Sequence, residues 1–501
     1  MAESARVPRH CGIVPFVDVE LARPALTEVE RALVDHVERG AVLDLAEDET
    51  IDRTEMRSWD TSRAVRAAVV RDILRGRLAP EPDPHGLRLR GARITGRLDL
   101  ENLTSTVALE LRDCLLSDGL IARDAHLPTL DLTGSVLEHP HAAPMAATRL
   151  TTTALFLDQV VVEGHSASGA VDISDARLGA LQCCGAKLCN DSGPAVDAER
   201  MQADQSVFLR DGFEAVGTGK QGTVRLHSAR IGGQLSCQGA KLRNDSGPAL
   251  HAERLQVGEN VFLRDGFEAI GAGAVTVTLS GARIDGLLVF QPARLEHLTN
   301  PSARLNVDGL VYSEVPAGLT TDDWLRLLRG GTPFYAAQPY QQLAAAHRAA
   351  GHDDQARRVL LAQRRDQVLR RAITSRAERA WVRFTGLTLG YGYQPWRALI
   401  GLVAAIAVSV VLACALGGHG GLTQVRNPPA PGPAPCTLVE RIGIGLEVGT
   451  PLITPGTRTH CDTTDGATGQ ILTATGWALR FGAWAFATLF IAGFTSAVRK
   501  T

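Results

Sequence analysis

Four cysteines in the middle of the chain could support redox or metal chemistry: Cys183, Cys184, Cys189 and Cys237. Thiolates bind zinc, and paired thiols exchange electrons. Cys183 and Cys237, however, lie 54 residues apart at equivalent positions of two repeated segments and alternate with apolar neighbours. That pattern is typical of buried side chains, so we expect stacked thiols that pack as small apolar groups and bind no metal.

Acid–base chemistry could come from His251 and Glu253, which flank Ala252. An imidazole and a carboxylate two residues apart can transfer protons when both face one cavity. The preceding repeat has Asp197 and Glu199 at the matching positions. A polar pair that recurs along a repeat indicates an exposed ladder of side chains, so we predict surface residues here and no catalytic pair.

Two glycine-rich segments match nucleotide-binding loops only in part. Residues 217–221 read Gly-Thr-Gly-Lys-Gln, but Glu214 stands where a phosphate-binding loop begins with glycine, and Gln221 replaces its hydroxyl residue. A Gly-Tyr-Gly segment at 390–392 has Pro395 in place of the third glycine of a dinucleotide-binding loop. The sequence therefore predicts no catalytic residue, no cofactor and no metal site.

The composition is that of a large chain without a strong charge bias. The chain has 501 residues, 45% of them hydrophobic, and a formal net charge of −2. This balance leaves no basic footprint for nucleic acid. Nine cysteines in this length are too few for a disulfide-rich scaffold. No apolar stretch follows the first nine residues, so we expect no secretory signal and a cytoplasmic location for most of the chain.

Internal repetition is the strongest structural signal. The segment Phe-Leu-Arg-Asp-Gly-Phe-Glu-Ala begins at Phe208 and again at Phe262, an offset of 54 residues that other segments share. Within each repeat, short runs alternate apolar and polar residues, as at Leu98 and Leu100. Period-two alternation predicts strands, and repetition predicts a solenoid whose units pack on their neighbours. We predict coils of about 20 residues, stacked about 4.8 Å apart, across residues 86–315.

A shorter pattern places alanine two residues before leucine or isoleucine, as at Ala92, Ala186 and Ala240. This pattern resembles a degenerate pentapeptide-repeat β-helix. The whole chain, including the Leu-Arg-Leu-Arg-Gly-Ala-Arg-Ile run that begins at Leu87, is similar to actinobacterial membrane proteins often labelled "membrane-associated oxidoreductase". The resemblance implies a mainly β protein, a right-handed pentapeptide-like β-helix joined to a membrane hairpin. The label implies an oxidoreductase, and no residue of this sequence is assigned to that chemistry.

Helical segments are predicted on both sides of the solenoid. Residues 1–85 are predicted to form an N-terminal helical cap with a capping box that begins at Thr27. Residues 316–396 are predicted to form a basic helical linker, whose first helix is capped by Thr320 or Thr321. The later part of the linker resembles one tetratricopeptide-type helical hairpin. A single copy cannot form a peptide groove, so we expect a helical adaptor.

A basic stretch leads into the first of two apolar segments. Ten arginines lie between residues 357 and 397. Four are predicted to lie on a basic helix at the membrane surface: Arg364, Arg365, Arg370 and Arg371. Residues 399–416 carry no charge and would span about 27 Å as a helix, close to the roughly 30 Å of a hydrocarbon core. With a second span at 481–498, residues 397–501 are predicted to form a two-helix transmembrane hairpin.

The arginines also predict the orientation, because positively charged flanks stay in the cytoplasm. We therefore predict a two-span plasma-membrane protein with both termini and the solenoid inside and residues 417–470 outside. In that oxidising compartment Cys436 and Cys461 are predicted to form a disulfide. Residues 437–453 are too apolar for an ordinary loop and too short to span, so an interfacial or re-entrant segment is favoured over a third helix.

Small residues spaced four apart allow close helix contacts in both spans: Gly401, Ala405, Ala483 and Ala487. Such residues can join copies of the chain in a homo-oligomer, which we predict. They can equally pack the hairpin of a monomeric anchor.

Two functions of different classes fit these features. The first is a membrane-tethered cytoplasmic β-solenoid that acts as a scaffold or sensor and presents its ladder surface to a cytoplasmic protein. The second is an oligomeric two-span channel or gate, with the outer apolar segment at the pore and the solenoid as sensing domain. The oxidoreductase implied by the family label is third. The expected partners are the lipid bilayer, further copies of the chain and a cytoplasmic protein, and not nucleic acid.

Overall fold

A β-solenoid of about ten turns dominates the chain, as its computed structural model shows. The structure describes residues 25–47, 50–370, 396–425, 435–450 and 461–499, without the side chains of residues 493 and 495–499. Three parallel sheets, A, B and C, form the faces of the solenoid, and helices lie at both ends. A solenoid fold is therefore confirmed, whereas the right-handed winding and the pentapeptide kinship stay predictions.

The strands are numbered along the chain. Sheet A consists of β1 (Leu43–Asp44), β3 (Leu87–Arg90), β6 (Leu109–Arg112), β9 (His126–Asp131), β12 (Thr151–Phe156), β15 (Arg177–Gln182), β18 (Gln202–Ala203), β19 (Val207–Phe208), β22 (Arg230–Ile231), β23 (Leu235–Ser236), β26 (Gln256–Val257), β27 (Val261–Leu263), β30 (Arg283–Ile284), β31 (Leu288–Phe290) and β34 (Val311–Tyr312). Sheet B consists of β2 (Ala64–Arg66), β4 (Arg93–Thr95), β7 (Leu115–Leu116), β10 (Val136–Glu138), β13 (Val161–Gly164), β16 (Lys187–Asn190), β20 (Glu214–Gly217), β24 (Lys241–Asn244), β28 (Glu268–Gly271) and β32 (Arg294–His297). Sheet C consists of β5 (Leu98–Asp99), β8 (Leu120–Ile121), β11 (Met145–Ala146), β14 (Val171–Asp172), β17 (Val196–Asp197), β21 (Val224–Arg225), β25 (Leu250–His251), β29 (Val277–Thr278) and β33 (Leu305–Asn306).

The strand register shows how long each coil is. Leu87 pairs with Leu109, so an early coil takes 22 residues, whereas Val196 pairs with Val224 and that coil takes 28. The predicted length of about 20 residues therefore describes only the first coils. The later coils are longer because sheet A forks, since β18 and β19 both pair with β15 and give each coil a fourth face.

The repeat of 54 residues spans two coils. Glu214 pairs with Lys241, and Lys241 pairs with Glu268, so equivalent residues of the sequence repeat are two turns apart. The residues just before this column are fully buried and alternate in size: Ala186, Phe213, Ala240 and Phe267. Each phenylalanine fills the space that the alanines above and below leave, which keeps the interior close-packed.

Other interior columns alternate in the same way. One column on sheet C, all of it buried, reads Ile173, Ala198, Leu226, Ala252 and Leu279. Two kinds of coil, complementary in volume, therefore take turns along the solenoid. This alternation explains why the sequence repeats at twice the coil length.

The N-terminal segment joins the solenoid through strands as well as helices. Helix α1 (Glu28–Arg39) begins with the predicted capping box, and α2 (Ala67–Leu74) follows β2. Strands β1 and β2, within the range predicted as a helical cap, pair with β3 and β4. Buried Glu30 accepts a hydrogen bond of 2.7 Å from Arg66 Nε. Burial alone would raise the pKa of Glu30, but hydrogen bonds from Arg66 and Thr27 outweigh it and lower the pKa to about 2.

Three helices close the other end of the solenoid: α3 (Thr321–Gly330), α4 (Gln338–Ala349) and α5 (Asp353–Leu369). Thr320 caps α3, one of the two residues predicted for that role. Trp324 of α3 packs on Phe290 of the last full coil, with ring centroids 5.4 Å apart. The side chain of Gln338 bonds to the backbone of Gly309 and Leu310, so α4 is also fastened to the solenoid.

The described residues from 396 to 499 form a separate unit, here called the membrane-side unit. It contains α6 (Trp396–Leu416), which continues into a π-helical turn at Gly417–Gly421, α7 (Leu438–Gly449) and α8 (Ala467–Arg499). Antiparallel strands β35 (Leu422–Gln424) and β36 (Cys461–Thr463) join the segments between the helices.

One helix of the membrane-side unit, Trp396–Gly421, is long and apolar enough to cross a membrane by length and composition, with a mean hydropathy of 2.8 in its most apolar window. That search covers the described residues only. The second span predicted at 481–498 lies within α8 and stays a prediction, as does the two-helix hairpin.

Candidate functional site

The largest concave feature with an apolar wall is a groove of about 590 Å³ between the solenoid and its C-terminal helices, here called the cap groove. Its floor is the outer face of sheet C in the last coils and includes His251, Glu253 and Thr278. Its wall is the segment from Thr332 to Tyr340. A groove of this volume matches the size of small-ligand and side-chain binding sites.

The wall of the groove presents aromatic side chains to solvent. Phe334 is 82% exposed, an unusual position for phenylalanine outside a membrane-facing region. Tyr335 and Tyr340 stack beside it, with ring centroids 6.2 Å apart. An exposed aromatic ring at the rim of a groove is typical of a binding surface.

Buried polar contacts hold this wall in place. The carboxylate of Asp366 is buried and accepts hydrogen bonds from Tyr340 Oη at 2.5 Å and from Arg329 Nε at 2.6 Å. Arg370 Nη1 donates to Thr332 Oγ1 at 3.0 Å. The groove wall is therefore fastened to α3 and α5, so its aromatic rings are presented by a rigid element.

Two columns of polar side chains cover the floor side of sheet C, here called the sheet C ladder. The first reads Asp172, Asp197, Arg225, His251, Thr278 and Asn306. The second, two residues further along each coil, reads Ser174, Glu199, His227, Glu253, Ser280 and Asp308. A surface ladder was predicted for His251 and Glu253, and the register places them in one.

The ladder changes character along its length. In its earlier half Arg225 Nη1 lies 3.0 Å from Asp197 Oδ2, and Arg225 Nη2 lies 2.6 Å from Glu199 Oε2. These ion pairs neutralise the acidic pair of that coil. In the next coils His227, His251 and Glu253 meet, and their nearest donor atoms lie within 4.8 Å of one another.

The cysteines of the solenoid are placed as apolar side chains. Cys183 and Cys237 are buried, and burial raises the pKa of both thiols, that of Cys237 to about 12. The register puts Leu209 between them, so the two thiols are not stacked directly as predicted. The repeat offset made them look adjacent because it covers two coils. Cys184 is partly buried and Cys189 is exposed.

The glycine-rich segment at 217–221 is a corner of the solenoid. Gly217 ends strand β20, and the backbone N–H of Gly219 donates to Ser246 Oγ of the next coil at 2.6 Å. This strand-to-strand corner lacks the helix that a phosphate-binding loop requires. Lys220 from this corner lines the cap groove. The other glycine-rich segment, 390–392, lies outside the described residues.

The basic residues predicted for the membrane surface fall into two groups. Arg364 and Arg365 are exposed on α5, where Arg364 Nη1 donates to Gln367 Oε1 at 3.1 Å. Arg370 instead binds Thr332 of the groove wall, so its guanidinium has a structural partner. Arg371 lies outside the described residues.

The membrane-side unit contains the other predicted sites. Cys436 and Cys461 are paired in a disulfide, with Cα atoms 6.3 Å apart. Glu440 also lies near these sulfurs, but a disulfide has no thiolate to offer a metal. A Cβ on Gly401 would lie 2.6 Å from Phe486 Cε1, so Gly401 makes a close contact between α6 and α8 of one chain. Ala483 is fully buried, and Ala405 and Ala487 are partly buried.

Helix α7 makes a close contact that was not predicted from the sequence. A Cβ on Gly445 would lie 2.5 Å from Val410 Cα, and one on Gly449 would lie 3.0 Å from Ile406 Cα. Ser409 Oγ of α6 donates to Gly445 O at 2.7 Å. The signal was present, because Gly445 and Gly449 form a Gly-x-x-x-Gly pattern that allows helix backbones to approach.

No family model, curated protein or solved structure matches this chain. Inference about its function therefore rests on its own residues and their geometry.

Proposed function

We propose that this chain is a membrane-tethered β-solenoid that acts as a scaffold or sensor, with a cytoplasmic protein bound in the cap groove. The observation that carries the proposal is the exposed ring of Phe334, held by a rigid wall at the edge of a groove. A partner can place one or two apolar side chains beside Phe334 while its polar groups meet the sheet C ladder. Aromatic anchors in such pockets dominate the energetics of protein–protein interfaces.

The tether is supported by the helix Trp396–Gly421, of which only 11% of the most apolar window is buried inside the protein. We infer that this helix crosses the plasma membrane and that α8 returns through it. The arginines before residue 396 place the solenoid and both termini on the cytoplasmic side. The kinship with actinobacterial membrane proteins belongs to this proposal. The oxidoreductase chemistry of their label is not developed, since the pKa values of buried Cys183 and Cys237 are raised by burial.

Site-specific photocrosslinking in cells tests the groove. A photoreactive residue in place of Phe334 is expected to give a discrete adduct with one cytoplasmic protein. The matched control replaces Leu298, which is also exposed on the solenoid but lies outside the groove lining. Identical adduct patterns at the two positions would remove the groove as the binding surface.

Thiol labelling in intact cells tests the topology. A cysteine introduced at Thr423, beyond the membrane helix, is expected to react with an impermeant reagent. One introduced at exposed Arg358 is expected to resist the reagent until the cells are opened. The reverse pattern would place the solenoid outside.

A second function, an oligomeric two-span channel or gate, is favoured by the course of α7. This helix lies along α6 from Arg441, next to Gly417, to Gly449, next to Ile406. It therefore reaches the middle of the candidate span, as a re-entrant segment does. Its other side exposes Leu438, Val439 and Leu446, which can face lipid or another copy of the chain.

Native mass spectrometry and planar-bilayer recording decide between the two functions. A channel requires an oligomer that conducts ions, with assembly weakened by Gly401→Leu and Ala483→Leu. A wild-type monomer that passes no ions would leave the tethered scaffold, in which these small residues only pack the helices of one chain.

A further inference from the structure

We propose that His227, His251 and Glu253 bind a divalent transition-metal ion, with Zn²⁺ as the ion best suited to their donors. The nitrogen and oxygen atoms of these three side chains lie within 4.8 Å of one another. Two imidazoles and one carboxylate form a donor set typical of zinc sites that keep an open fourth position. The proposal concerns binding, and its test is independent of the proposed scaffold function.

The solenoid itself brings the three residues together. Ala252 is buried, so both of its neighbours, His251 and Glu253, point to the outside of the same coil. His227 belongs to the preceding coil and lies in the same column as Glu253, because the N–H of Ser228 donates to Glu253 O at 2.8 Å. Adjacent coils are about 4.8 Å apart, which is a separation that one metal ion can bridge. The backbone ladder therefore holds the donors before any ion binds.

Hydrogen bonding prepares His251 as a ligand. Its Nδ1 lies 2.9 Å from the carbonyl oxygen of Gln221, so Nδ1 carries the proton and donates it. The lone pair of Nε2 is then free, and Nε2 lies 3.7 Å from Glu253 Oε2. A second-shell bond from the other ring nitrogen to a carbonyl is the usual companion of a metal-bound histidine.

The remaining contacts leave room for an ion. The separation of 3.7 Å between His251 Nε2 and Glu253 Oε2 is too long for a hydrogen bond. It is close to the spacing of about 3.4 Å between two ligands of tetrahedral zinc with bonds of about 2.1 Å. His227 Nδ1 is buried with no hydrogen-bond partner among the described residues. The other carboxylate oxygen of Glu253 faces Arg254 Nε at 4.0 Å, so Oε2 is the atom available to the metal.

Neighbouring coils show why the site occurs once along the ladder. One coil earlier, Arg225 places a cation on Asp197 and Glu199. One coil later, Thr278 and Ser280 occupy the two columns, and hydroxyl groups are poor ligands for zinc. Within the ladder, a donor set of two imidazoles and a carboxylate exists only where these columns hold histidine and glutamate in successive coils.

The position of the site connects it to the cap groove, because His251 and Glu253 line the groove floor. The open fourth position can take water or a carboxylate or imidazole from a groove occupant. This last step rests on the proposed function and would make partner binding depend on the metal.

Metal titration of the tag-free, full-length protein in detergent tests the site. The protein is stripped with a chelator without reductant, so that the disulfide stays closed, and Zn²⁺ binding is followed by calorimetry and by metal analysis after dialysis. One Zn²⁺ per chain is expected. His227→Gln and His251→Gln should each weaken the affinity by about tenfold or more. His165→Gln is the matched control, because His165 forms an exposed pair with Asp191, 2.7 Å away, without a third donor.

Folding and specificity are checked in the same series. Circular dichroism of each variant without metal should match the wild type, and Co²⁺ bound to the wild type should give the intense visible absorption of a tetrahedral site. Phe334→Ala should bind Zn²⁺ as tightly as the wild type, so failure of the groove and failure of the metal site are distinguishable. No stoichiometric Zn²⁺ on the wild type, or unchanged affinity in both histidine variants, would overturn the proposal.

Discussion

The solenoid and the membrane-side unit use apolar side chains in opposite directions. In the solenoid, Leu87, Ile94 and Phe213 are fully buried, and polar residues alternate with such side chains on the outside. In the membrane-side unit, Val403 is 57% exposed and Phe481 is 78% exposed, whereas Ser409 is buried. One part of the chain makes its own apolar interior, and the other presents apolar surface to its surroundings.

The difference teaches that the two parts need different solvents. The solenoid satisfies its backbone through parallel ladders and excludes water from a column of packed side chains, so it is stable in water. The helices of the membrane-side unit satisfy their backbone internally but leave apolar side chains uncovered. Such a surface is stable only where lipid or another copy of the chain covers it.

The largest expected effect breaks the interior of the solenoid. Leu226→Asp should lower the free energy of unfolding by about 4 kcal/mol or more, because it buries a carboxylate between Ala198 and Ala252 without a partner. Chemical denaturation followed by circular dichroism measures the change. Val216→Asp, on the exposed side of sheet B, is the control and should be nearly neutral. Similar losses in both variants would show that the inside and outside of the coils are misassigned.

The next effect tests the alternation between coils. Phe213→Ala should cost about 3–5 kcal/mol, because it leaves alanine in three successive coils at Ala186, 213 and Ala240 and opens a cavity. Denaturation midpoints measure the loss. Phe208→Ala is a useful comparison, since Phe208 lies on the outside of the same coil. A loss at Phe213 no larger than the loss at Phe208 would contradict the packing of two complementary coils.

A charge on α6 should have the opposite profile. Val403→Arg is expected to cost about 2.5–3.5 kcal/mol of membrane insertion, because it puts a cation in the hydrocarbon region. Carbonate extraction of membranes should release more of this variant than of Val403→Leu. The denaturation midpoint of the solenoid should not change. Normal membrane retention of Val403→Arg would argue that α6 is covered by protein and not by lipid.

The smallest effect concerns the N-terminal cap and depends on pH. The pKa of Glu30 is about 2 in the folded protein and 4.5 as a model value, so its ionised form stabilises the fold above pH 4.5. That contribution, about 3 kcal/mol at most, should be lost progressively as the pH falls from 4.5 towards 2. Stability measured across this range should lose part of its slope in Glu30→Gln. An unchanged slope would mean that the Arg66 contact does not perturb Glu30.

Local patterns predicted much of the fold. The capping residues Thr27 and Thr320 act as expected because a cap involves only the first turn of its own helix. Period-two alternation identified the strands for the same reason. The end of α5 differed, because Arg370 was assigned to the membrane surface by its charge alone. Its contact with Thr332 depends on where α3 and α5 meet, which no local pattern contains.

The sequence by itself determined that the chain is a repeat protein followed by an apolar segment, since repetition and hydropathy are properties of the sequence. Only the tertiary structure decided which repeats are neighbours. Coil length varies, so the register cannot be counted from a fixed period, and that register puts Leu209 between Cys183 and Cys237. The same register brings His227 to His251 and Glu253, and packing of the C-terminal helices onto the last coils closes the cap groove beside them. These contacts join residues distant in sequence, and their geometry follows from packing between coils that no local segment encodes.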